Sequence, residues 1–109
     1  MIDNNNFSRS LFNKTFPFFF TVDYQLLIRD AGKSLLKVRN DLIQKSIKEV
    51  FEVVRPGVFE LNYKSLCKSE DKVFLLSFKH LNNEVLFKAQ VFVLTKERRV
   101  LFVGSPFLK

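Results

Sequence analysis

Apolar positions recur along this chain with two periods, and each period predicts a different kind of element. Val73 to Lys79, Val85 to Thr95 and Arg99 to Gly104 are rich in Val, Leu and Phe and read as three strands. His80 to Glu84 and Lys96-Glu97-Arg98 connect them, and Ser105-Pro106 ends the last. Phe18 to Val22 and Leu26 to Arg29 read as a hairpin about Asp23-Tyr24-Gln25, closed by Asp30-Ala31-Gly32. Gly32 is expected to adopt a backbone conformation that a Cβ would penalise. Helical spacing appears elsewhere. Asn5 and Asn6 are placed to cap a helix from Phe7 to Thr15, with Phe7, Leu11 and Phe12 as its apolar stripe and Pro17 as its stop. Ser34 to Val38 reads as a helical turn. Asp41 is placed to cap a helix from Leu42 to Phe51, with Ile43, Ile47, Val50 and Phe51 on one face. Residues 52–55 are read as extended and Pro56-Gly57 as a turn. Asn62 caps a short helix from Tyr63 to Cys67, and Ser69 to Lys72 is a polar turn.

This order predicts an α+β domain: a five-stranded antiparallel sheet with short helices on one face and an N-terminal helix. Residues 1–6 read as a flexible leader and 7–109 as a single domain. Alternate residues of a strand face opposite ways. One face collects Phe18, Phe20, Val22, Phe74, Leu76, Phe78, Phe87, Ala89, Val91 and Val93, all apolar, and is assigned to the helices. The other collects Phe19, Thr21, Leu27, Arg29, Val73, Leu75, Ser77, Lys88, Gln90, Phe92 and Leu94, with Phe102 placed there too. About half of that second face is large and apolar, so the N-terminal helix, a partner chain or both must cover it.

Composition narrows the function. The 109 residues suit one domain; 47% are apolar, 27% are charged and 14 are Phe. No apolar stretch is long enough for membrane insertion, and the polar start, Met1-Ile2-Asp3-Asn4-Asn5-Asn6, is not a secretory signal, so a cytoplasmic location is expected. A single cysteine and a single histidine exclude an internal disulfide and a Cys- or His-based metal cage. His80 lies in a connection without the apolar pocket a haem ligand wants, and reads as a surface histidine. Cys67, with Lys64 and Lys68 nearby, reads as a half-buried structural thiol. The net charge of +7 is spread along the chain with no RNA-reading pattern on the strands, so nucleic acid is not expected as a partner. Only Gly32, Gly57 and Gly104 are glycines, so there is no phosphate-cradling loop. No pair of carboxylates stands out as an acid–base couple. No enzymatic activity, metal or cofactor is expected.

Three runs carry a family resemblance: Phe16-Pro17-Phe18-Phe19-Phe20-Thr21-Val22-Asp23 with Leu26 to Leu35, then Val50-Phe51-Glu52-Val53-Val54-Arg55-Pro56, then Phe87-Lys88-Ala89-Gln90-Val91 with Leu101 to Pro106. Together they resemble the haem-NO-binding-associated domain, a PAS-like module of soluble guanylate cyclase subunits and bacterial signal-transduction histidine kinases. The resemblance covers about residues 7–107. It implies a PAS-like fold and a regulatory role without catalysis, with haem held in a separate nitric-oxide sensor domain or protein. One departure is that Phe19 stands where family members commonly carry histidine. The resemblance further implies a fragment of a longer sensor kinase.

Two functions follow as expectations. The first is a homodimerising signal-relay module with an interface built from Phe7, Leu11, Phe12, Phe19, Leu75, Phe92 and Phe102. The second is a small-molecule-sensing PAS domain with a ligand in its core, for which the inner face offers few polar groups.

Overall fold

The β-branched and aromatic runs become strands, the second of them two residues later than expected, at Ile28–Ala31 in place of Leu26–Arg29, and one more joins the sheet. The computed structural model describes residues 18–81 and 84–108. Its strands are β1 (Phe19–Val22), β2 (Ile28–Ala31), β3 (Phe51–Arg55), β4 (Val73–Phe78), β5 (Val85–Leu94) and β6 (Arg99–Leu108). The helices are α1 (Lys33–Val38), α2 (Ile47–Val50) and α3 (Tyr63–Cys67). The strands form one antiparallel sheet in the order β2-β1-β6-β5-β4-β3. The expected five strands are therefore six: residues 52–55, read as merely extended, pair with β4 from Phe51↔Phe78 to Arg55↔Leu75. The last strand in sequence sits beside the first, with Phe20 opposite Phe102.

The core lies on the helix-bearing face. Phe20 stacks between Phe51 at 5.0 Å and Phe102 at 4.6 Å, and Phe51 meets Phe78 at 4.6 Å. Phe74 stands edge-on to Phe102 and to Phe59. Leu35 from α1, Ile47 and Val50 from α2 and Leu66 from α3 complete this core, with Leu42 from the segment before α2. Each such side chain contributes about 1.5–3 kcal/mol by leaving water.

Four expectations are corrected. First, Phe102 belongs to this inner core and not to the outer face. Leu94 pairs with Arg99 across the β5–β6 turn, which directs Val100 and Phe102 inward and Leu101 and Val103 outward. Second, β6 does not end at Ser105-Pro106. It continues to Leu108, with Pro106 opposite Phe87. β1 pairs with β6 only as far as Val103, so Pro106 lies where β6 has a strand on one side alone and its missing N–H is tolerated. Third, the helix expected from Leu42 to Phe51 shrinks to the four residues of α2. Residues 44–47 instead bond the edge of β2: Ile28 N–H donates to Lys45 O, Gln44 N–H to Ile28 O and Ile47 N–H to Leu26 O. Gln44 takes φ 75° to do this, and Ser46 rather than Asp41 caps α2, its hydroxyl accepting from Lys48 N–H. Asp41 pairs with Arg39 at 2.7 Å. Fourth, Gly32 precedes α1 at φ −69° and ψ 154°, an extended conformation open to any residue. α3, by contrast, begins at Asn62 as expected, with the Asn62 side chain accepting from Ser65 N–H at 2.8 Å. The leader and the helix Phe7–Thr15 lie outside the described residues.

Candidate interaction surface

The face of the sheet away from the core carries its own apolar cluster. Strand alternation places Phe19 on β1, Leu94 and Phe92 on β5, and Leu101 and Val103 on β6 together there. The register sets Phe19 beside Val103, and Phe92 beside Leu101. Phe19, Leu94 and Leu101 are buried, while Phe92 and Val103 are half-buried at the margin. Leu75 is half-buried and Val73 is exposed farther along the same face. Of the expected interface residues, the structure thus brings Phe19 and Phe92 together, puts Leu75 on the same face and removes Phe102. Phe7, Leu11 and Phe12 lie outside the described residues. The residues missed by sequence reading are Leu101 and Val103, lost when Phe102 was turned outward; the pairing of Leu94 with Arg99 is the signal that recovers them.

A charged network borders this cluster. Thr21 is paired with Asp30 across β1 and β2, and with Leu101 across β1 and β6. Arg99 reaches the buried Asp30 carboxylate at 2.6 Å, and the Thr21 hydroxyl donates to the same oxygen at 3.4 Å. The network ties the first, second and last strands together. A buried carboxylate needs such a partner, because an unpaired charge there is costly.

A second carboxylate organises the β1–β2 turn. Asp23 accepts from the backbone N–H of Gln25 and Leu27 and pairs with Arg29 at 2.7 Å. Burial works to raise its pKa, but the bonds from Leu27, Arg29 and Gln25 outweigh it, and the carboxyl sits below the ordinary aspartate value. Next to this turn, the Arg98 guanidinium lies 4.5 Å over the Tyr24 ring.

The chemistry-bearing candidates stay apart. His80 is exposed at a bend with φ 63°. Cys67 is a half-buried free thiol on α3. Burial and a hydrogen bond with Cys67 push the Tyr63 hydroxyl up, with Arg98 acting the other way. Among the described residues no group of three or more His, Cys, Asp or Glu is placed to hold a metal ion. Among them, too, no helix is long and apolar enough to cross a membrane. Every buried side-chain nitrogen or oxygen among them has a hydrogen-bond partner.

The structure is a mostly-sheet α+β module with an aromatic inner core and a second apolar cluster on its outer face. The chain belongs to the heme NO binding associated family, whose pattern matches residues 5–85. It is similar to the guanylate cyclase soluble subunit alpha-1 of mouse, 28% identical over 107 aligned residues that cover 89% of this chain and 15% of the mouse protein. The rat subunit of the same name matches to the same extent. The chain therefore spans about 15% of the length of these curated relatives.

Proposed function

We propose that this chain is a non-catalytic regulatory and homodimerisation module of PAS-like type. It serves a cytoplasmic signal-transduction histidine kinase and relays a nitric-oxide-linked signal from a haem-based sensor to the output domain. The observation that carries this reading is the apolar cluster of Phe19, Phe92, Leu94, Leu101 and Val103 on the outer face. A second copy laid against its half-open margin at Phe92 and Val103 would bury it with one self-complementary patch. Family membership and the similarity to a guanylate cyclase subunit support the sensory context. A small shift of two paired sheets would then re-pose whatever domains they carry.

The core speaks against the alternative of a ligand held between sheet and helices. Phe20, Phe51, Phe87 and Phe102 fill that space with mutual ring contacts at 4.6 to 6.3 Å. Light scattering at micromolar concentration tests the proposal. A mass of twice the monomer is expected, reverting to one on Phe92→Asp while the circular dichroism spectrum stays β-rich. A monomeric wild-type chain, or a dimer indifferent to Phe92→Asp, would remove this surface as the interface.

A further inference from the structure

The two edges of the sheet are finished differently. The β2 edge is closed by the chain's own residues 44–47. The β3 edge meets no strand among the described residues. At the Arg55 end of this edge, over the first residues of β4, lies an open groove of about 400 Å³. Pro56, Phe59 and Phe74 give it an apolar lining, with the Phe59 and Phe74 rings edge-on at 4.9 Å. Apolar surface continues past the groove. Val54 is 40% exposed, Val58 98% and Val73 52%, and all three belong to or adjoin its walls in sequence. Arg55 and Lys72 also line it, and neither side chain makes an ion pair or hydrogen bond among the described residues. No acidic residue lines the groove.

We propose that this corner binds an extended acidic–apolar peptide segment of a partner protein. The segment runs along β3 with apolar side chains over Phe59, Phe74 and the exposed valines, and with carboxylates against Arg55 and Lys72. Strand addition supplies backbone bonds to an open edge, and alternate side chains then read the flanking surface. The charge argument selects the occupant. An acidic segment pairs with Arg55 and Lys72, the two cations that line the groove with no carboxylate among its lining residues. A small carboxylate fits the groove but leaves the β3 edge and Val58 uncovered.

A short synthetic peptide alternating glutamate with leucine and phenylalanine is the probe, titrated into the isotope-labelled 109-residue chain and followed by amide shifts. Shifts concentrated on residues 51–59 and 72–74 are expected, weakening as salt rises. Lys72→Glu and Arg55→Glu, both at exposed positions, are each expected to weaken binding about tenfold with the spectrum otherwise native. The inference is overturned if the lysine-for-glutamate peptide binds as well, if neither charge reversal matters, or if the shifts fall elsewhere. It is equally overturned if phenylacetate shifts the groove residues while the peptide does not, which would make this a small-molecule site. None of these outcomes depends on the oligomeric state.

Discussion

Gly104 is the glycine that this fold requires. It lies opposite Ala89 in the β5–β6 pair, and its N–H donates to Phe18 O at 3.0 Å. A Cβ there would fall on the Lys88 carbonyl and within 2.8 Å of the Ala89 Cα, so backbone would have to move. Gly104→Ala is expected to cost about 1–3 kcal/mol in urea denaturation, as overpacking of backbone does. Gly32, where the turn context points to a special conformation, is extended at φ −69°, a conformation open to any residue. The two phenylalanines Phe92 and Phe102 divide in the same way. Phe102 is fully buried in the ring stack, and Phe102→Ala should lose about 3–5 kcal/mol of stability. Phe92 is half-buried on the other face, so its substitution should act on association first. Measuring both variants by denaturation and by light scattering separates core from surface.

The β1–β2 turn and α3 show how single side chains hold whole elements. Asp23 ties Gln25, Leu27 and Arg29 into one turn, and its pKa is depressed in the folded state. A depressed carboxyl contributes stability that is complete above its unfolded pKa and is lost as pH falls through the folded value. The wild-type chain is therefore expected to lose stability on acidification below the ordinary aspartate range, and Asp23→Asn to flatten that part of the profile in pH-dependent denaturation. Asn62→Ala removes the cap of α3 and should cost about 1 kcal/mol. That cap was readable because it is local: Asn62 and the N–H of Ser65 are three residues apart. The strands β1, β4 and β5 were readable for a similar reason, since alternation over one segment decides each. The missing part of the 42–51 helix was not, because its apolar spacing is sound and a non-local event overrides it, the bonding of residues 44–47 to β2. β3 escaped notice because its pattern, buried at Phe51 and exposed at Glu52, Val54 and Arg55, is that of an edge strand with little to bury. The outer face was half legible. Phe19, Phe92 and Leu94 follow from alternation, but the direction of β6 depends on how the turn at Thr95 to Arg98 is made, with Arg98 at φ 54°.

The whole molecule has two apolar faces of unequal completeness: an inner one closed by the helices and an outer one with a half-open margin. The dimer proposed on the outer face and the peptide site proposed at the β3 corner use different parts of the sheet. A chain monomeric by light scattering would still be expected to bind the acidic peptide, and a peptide-blind chain would still be expected to dimerise. The central position of β6 has a mechanical consequence. Hydrogen bonds in an antiparallel pair run across the strands, so a pull along β6 loads its bonds to β5 together, in shear, instead of peeling them one by one. From Val100 to Val103 the same pull is shared with β1, and through β1 with β2. β6 is in this sense a stiff rod set in the middle of the sheet, and an axial displacement at its Leu108 end would be felt at Arg99, beneath Asp30, with little slack between.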